Sequence, residues 1–227
     1  MRPETLDHVA LWVGDRDALA DFLVDRLGMH VIERTDKFTL VGSDARLGKL
    51  TLFAAEGDRS PGVLARIGLR VFDLDEALAE LPADVAVERP APGRATFVAP
   101  DGLPIGLVEV DSGTAYDLDH VAFTVPDPEE TASGLEALGF ERDDGRLVVG
   151  GAFVELEQGK PEGTGQPLLN HLGLKVESAD EHIEEAKRRG IEIADVVDAP
   201  NTYAVFVWGP DGIKVEYVEH KPSFSLV

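Results

Sequence analysis

The sequence predicts an α+β protein built from four copies of one βαβββ unit. Three observations carry this. Four strand-like openings, LDHVALWV, LARIGLRV, LDHVAFTV and NHLGLKV, recur at intervals of roughly 50 to 60 residues. A capped helix pattern follows each opening. The second and fourth units end alike, in APDGLPIGLVEV and GPDGIKVEYVEH, each with a Pro-Asp-Gly turn before the last strand.

Each opening alternates as a half-buried strand should: in the third, Val121, Phe123 and Val125 share one face, and His120, Ala122 and Thr124 the other. Asp15, Asp73, Asp127 and Ser178 are the expected helix N-caps. Glu76, Glu130 and Glu181 stand at capping-box spacing from the last three, and Pro128 falls at the favoured first helical position. Leu19, Phe22 and Leu23 give the first helix an apolar face, and Gly28, Gly139 and Gly190 are placed to end helices. Helices this short must gain stability by packing on a sheet. Further strands follow each helix, such as MHVIERT, KFTLVG and KLTLFAA in the first unit, or RLVVGG and AFVELEQ meeting at a Gly-Gly turn in the third. Three loose stretches separate the units, Gly57 to Gly62, Asp111 to Ala115 and Gly159 to Pro167. The middle one is the expected domain boundary, giving domains 1–112 and 113–227.

The 227 residues suffice for one large or two small domains with ample core. Acidic residues outnumber basic ones 43 to 21, and the formal charge of −22 repels nucleic acid and anionic membranes. A small-molecule substrate and, at most, a second copy of the chain (a homodimer) are the expected partners. With no cysteine, a metal site can use only histidine, carboxylate or water. The opening MRPETLDHV has no apolar signal-peptide core and no run is long enough to span a membrane, so a cytoplasmic location is expected.

Aligning the openings stacks His8, Arg66, His120 and His171 in one column. Two histidines in that column, His120 and His171, together with Glu216 on the last strand, suggest a metal site. Such donors suit a divalent first-row ion, Fe, Mn, Zn, Ni or Co.

With its four βαβββ units and matching Pro-Asp-Gly turns, the chain resembles the vicinal oxygen chelate superfamily, which includes glyoxalase I, methylmalonyl-CoA epimerase, extradiol ring-cleavage dioxygenases and bleomycin-resistance proteins. The resemblance implies that paired units form two cupped mixed sheets, with a metal on a concave face. Strand parity agrees: Val215 and Tyr217 turn to the helices while Glu216 turns away, as do Glu155, His120 and His171 on their strands. The expected site is therefore His120, His171, Glu216 and Glu155, all in the C-terminal half. The matching column of the first half is His8, Thr51, Arg66 and Gly106. Arg66 cannot ligate and Gly106 has no side chain, so His8 is expected to be a structural histidine and Arg66 a polar filler or anion contact. Lys175 and Arg70 are further anion candidates, and His182 and His220 are expected in solvent.

A His-Glu-His-Glu set resembles that of glyoxalase I and the epimerases and implies metal-assisted proton transfer, with Glu155 as base or movable ligand. The alternatives are an Fe(II) extradiol dioxygenase or a non-enzymatic binder of the bleomycin-resistance kind. Against the dioxygenase, the run before Glu216 carries Phe206 where that family has a tyrosine, Gly209 where it has an acid, and no histidine in Val197 to Ala199.

Overall fold

The computed structural model describes residues 1–44, 48–111, 113–163 and 165–224. The first unit comprises β1 (Thr5–Val13), α1 (Arg16–Leu27), β2 (His30–Arg34), β3 (Phe38–Gly42) and β4 (Lys49–Ala54), followed by the two-residue β5 (Arg59–Ser60). The second has β6 (Leu64–Val71), α2 (Leu74–Ala79), β7 (Val87–Ala91), β8 (Arg94–Val98) and β9 (Pro104–Glu109). The third has β10 (Leu118–Val125), α3 (Pro128–Ala137), β11 (Glu141–Asp143), β12 (Arg146–Val149) and β13 (Ala152–Gln158), then β14 (Gln166–Pro167). The fourth has β15 (Leu169–Lys175), α4 (Ala179–Arg189), β16 (Ile193–Asp198), β17 (Thr202–Trp208) and β18 (Lys214–His220).

All four predicted N-caps accept hydrogen bonds from the first turn: Asp15 from Ala18, Asp73 from Glu76, Asp127 from Glu129 and Glu130, and Ser178 from Glu181. Both Pro-Asp-Gly turns hold their aspartate at positive φ, 61° at Asp101 and 52° at Asp211. Each carboxylate then reaches the preceding unit. Asp101 accepts from the Asp15 N–H at the start of α1, and Asp211 from the Thr131 hydroxyl on α3.

Two eight-stranded mixed sheets result, with strand orders β16-β17-β18-β15-β1-β4-β3-β2 and β11-β12-β13-β10-β6-β9-β8-β7. The first unit thus shares a sheet with the fourth, and the second with the third. The expected division at 112/113, whose residue 112 lies outside the described residues, falls between β9 and β10. Both of these strands belong to the second sheet. The crossings between sheets are the two outer loose stretches, and they run together: β5 pairs with β14, and Gly62 exchanges backbone hydrogen bonds with Glu162. Central pairing is antiparallel between opening strands, β1 with β15 and β10 with β6. One contiguous apolar core joins both sheets and the helices. Leu19, Leu23 and Leu27 of α1 are buried in it, and Phe22 meets Phe97 of the other sheet at 6.3 Å between ring centroids. No helix among the described residues is long and apolar enough to cross a membrane.

Candidate metal centre

In β1 the core residues Val9, Leu11 and Val13 alternate with His8, Ala10 and Trp12 on the opposite face. A β-bulge at Asp7 interrupts the pairing with β15, and a second at Asn170 interrupts it from the other side. Bulges re-aim side chains, and each of these brings its residue beside the histidine that follows. His8 Nδ1–H donates to Asp7 at 2.9 Å, and His171 Nδ1–H to the Asn170 side-chain oxygen at 3.1 Å. Both rings therefore present Nε2, with its lone pair, to the same point. Gly173 lies opposite His8, where a Cβ would come within 2.2 Å of the ring, so only glycine lets the ring lie flat across the neighbouring strand.

Glu216 on β18 pairs with Gly173 and faces the same point. Its Oε2 lies 3.0 Å from His8 Nε2 and 3.0 Å from His171 Nε2, and the two nitrogens are 3.1 Å apart. Donors ~2.1 Å from a shared first-row ion stand ~3.0 Å apart on one face of an octahedron and ~3.4 Å apart on a tetrahedron. The observed triangle is compact enough for all three donors to reach one ion. His8, His171 and Glu216 fit a divalent metal as a two-histidine, one-carboxylate face.

The electrostatics are those of a cation site. Burial works against a charged His8, but hydrogen bonds and charge from Asp7 and Glu216 outweigh it and raise its pKa to about 9 when no ion is bound. Burial pushes Glu216 up, yet the charges and hydrogen bonds of His171 and His8 bring it to about 2. Burial lowers His171, helped by the charge of His8. Behind His8, Asp7 also binds the fully buried Lys49 ammonium at 2.7 Å. Against its burial, hydrogen bonds from His220 and His8 and the charge of Lys49 hold Asp7 well below the usual carboxylate range.

The predicted set is split between the sheets. His171 and Glu216 join His8, which the sequence reading had set aside as structural. His120 and Glu155 belong to the second sheet, where Arg66 takes the place of an ion. Its Nε–H donates to His120 Nε2 at 3.0 Å, and its two terminal nitrogens bind Glu155 and Glu157. Register makes the two arrangements equivalent. His8 corresponds to His120, with Asp119 at a bulge in the role of Asp7; His171 to Arg66, Thr51 to Glu155, and Glu216 to Gly106. The repeated Asp-His pair, Asp7-His8 and Asp119-His120, was the signal in the sequence that the first opening carries a candidate ligand.

Two other histidines also differ from expectation. His182 is buried, donates to the Ser178 carbonyl and stacks on Tyr217. His220 lies in the wall of the candidate site, 3.3 Å from Asp7 and stacked on Phe224.

Above the triad is a cavity of about 670 Å³. Its lining reaches from Glu33 on β2 to Asp195 on β16, at opposite edges of the sheet, so the sheet curls into a cup. Trp12, Phe38, Phe53, Phe206 and Trp208 give it aromatic walls. His171 is flanked by Phe206, edge-on at 5.1 Å, and by Phe53 at 6.3 Å.

Residues 5–146, the first two units and the third as far as the start of β12, match the model of the Glyoxalase/Bleomycin resistance protein/Dioxygenase superfamily. The chain belongs to this superfamily. A Bacillus subtilis protein described as a "putative dioxygenase" superposes with a TM-score of 0.78 at 17% identity, over 98% of this chain and 87% of that one. Glyoxalase I from Zea mays gives 0.76 at 19% identity, over 95% and 92%. The cppA protein of Streptococcus pneumoniae gives 0.65 at 14% identity, over 93% and 97%. At these identities the shared property is the vicinal oxygen chelate fold. No curated protein sequence matches the chain.

Proposed function

We propose that the protein is a metal-dependent oxygenase acting on a small hydroxylated aromatic compound. The observation that carries this reading is Thr51. Proton transfer of the glyoxalase kind was expected from a fourth carboxylate, but the register-equivalent position of the first cup holds a threonine, and Glu155 is committed to Arg66 in the other sheet. Three protein donors would leave an ion held there with open positions for further ligands. An Fe(II) or Mn(II) ion held there supplies the capacity to bind dioxygen and a substrate hydroxyl side by side.

The chain's own residues do the rest. Asp7 and Asn170 fix the tautomers of His8 and His171. Phe53, Phe206 and Trp12 offer flat apolar surfaces to an aromatic ring and exclude water. Phe206 cannot donate a proton, as the sequence indicated; one acid–base group lining the cavity is His220, anchored near Asp7.

The test is oxygen consumption by chelator-stripped protein reloaded anaerobically with Fe(II), Mn(II) or Zn(II), using catechols and hydroquinones. Oxygen uptake should match substrate loss, require Fe(II) or Mn(II), and vanish in His171→Ala. Anaerobic turnover of hemithioacetals or acyl-CoA epimers would restore the proton-transfer reading. Ligand binding with neither activity would make the protein a binder.

A further inference from the structure

The second cup holds its own cavity, of about 320 Å³, lined among others by Arg66, Arg94, Thr96, Pro90 and Val108. From this we infer that the second cup is a binding site for a small carboxylate with an apolar body, independent of the chemistry in the first.

Three observations converge. The first is strand order. Arg66 lies on β6, with Glu155 and Glu157 beyond β10 on one flank; the cavity opens on the other flank, over β9, β8 and β7. The carboxylates that fix the Arg66 guanidinium are thus outside the cavity lining, while Arg66 itself lines it. The second is Arg94. Ala95 and Phe97 bury into the core, so Arg94 and Thr96 face the cup. Among the described residues no carboxylate or hydrogen-bond acceptor engages the half-buried Arg94 side chain. In a protein with 43 acidic residues against 21 basic, a half-buried arginine without a counter-charge is a cation kept for something else.

The third is Gly106. It pairs with Gly68 as Glu216 pairs with Gly173, so the position that supplies a carboxylate in the first cup supplies bare backbone here. A Cβ at Gly106 would come within 3.3 Å of Arg66 Cδ, so the glycine also preserves the room beside that arginine. A ligand carboxylate would take the planar guanidinium of Arg94 as its partner, with Thr96 as a further donor. Pro90 and Val108 give the apolar body its walls. A carboxylate suits this better than a free inorganic anion, which would leave those walls uncovered.

The experiment is a fluorine NMR titration of the full chain with 4-fluorobenzoate and, as the uncharged counterpart, 4-fluorobenzamide. The parent should bind the benzoate saturably and the benzamide at least about tenfold more weakly. Arg94→Gln should weaken benzoate by at least about tenfold while its Tm stays that of the parent, since a charge-assisted pair is lost without loss of a protein contact. Gly106→Glu, which places a carboxylate of the chain itself in the cavity, should abolish this binding. No saturable binding by the parent would overturn the inference. So would equal benzoate affinity in Arg94→Gln or Gly106→Glu, which would place the ligand elsewhere, or equal affinity for benzamide, which would remove the role of charge.

Discussion

Asp7→Asn separates what holds the metal from what holds the fold. Asp7 has three partners, the His8 ring at 2.9 Å, the buried Lys49 ammonium at 2.7 Å and the His220 ring at 3.3 Å. An asparagine keeps the shape and one acceptor but loses the charge. Lys49 then lies in the interior without its counter-charge, a change that costs about 3–5 kcal/mol, or about 6–20 °C in Tm for a chain of this length. His8 also loses the carboxylate that orients it and makes Nε2 basic, which weakens metal binding about 10–100-fold. The two effects come apart in Asp7→Asn/Lys49→Met. Removing the stranded ammonium should restore most of the Tm, while metal affinity stays as weak as in the single variant. Calorimetry on chelator-stripped protein gives the first quantity, and competition with a coloured chelator for Mn(II) gives the second. If the double variant regains the parental metal affinity, Asp7 acts through Lys49 and not through His8, and the orienting role is wrong.

The remaining predictions follow from the same geometry. His8→Ala should drop bound metal to near zero by elemental analysis, whereas His120→Ala should leave it unchanged and cost about 1–3 kcal/mol through the donor left unpaired on Arg66 and the acceptor left unpaired on Asp119. Equal metal loss in both variants would contradict the assignment. Glu155→Gln should alter neither metal content nor turnover and should shift Tm by no more than about 4 °C, because its ion pair with Arg66 is partly solvated; a large fall in turnover would return Glu155 to the chemistry. In chelator-stripped protein the folded-state pKa of His8, about 9, lies above its ordinary 6.5. Its contribution to stability is therefore complete below about pH 6.5 and is lost as pH rises through 9. Comparing Tm against pH for the parent and His8→Ala isolates this slope, and parallel curves between pH 6.5 and 9 would exclude it.

Much of the fold was legible because it rests on local rules. The four caps, the helix-ending Gly28 and Gly190 (φ of 60° and 67°) and the parity of β18 follow from residue chemistry and period alone. So did the column that became both cups. What the openings do not state is which of them meet. Openings with Asp-His (LDHVA, twice) need a glycine opposite the ring, and the other two, ARIGL and NHLGL, each carry one. That rule excludes pairing the first unit with the third, but it permits the first with the second as readily as with the fourth. Sequential pairing would have gathered His120, Glu155, His171 and Glu216 into four ligands, a chemically attractive set, and proximity in sequence favoured it.

Charge decides between the two arrangements. Paired with the first unit, Arg66 would point into a cup whose other members are His8, Thr51 and Gly106, none of them a carboxylate. Paired with the third, it meets Glu155 and Glu157 on β13 and takes the Nε2 of His120. The exchange also balances the third unit, since Glu155 and Glu157 share a strand face and repel each other unless a cation lies between them. One substitution in the column, arginine for histidine in the second opening, thus accounts for a cup that holds its own cation. The candidate metal site is left to the other cup, where three donors converge and a threonine, Thr51, takes the fourth place. The arrangement thus predicts one metal ion per chain, in the cup made by pairing the first and fourth units.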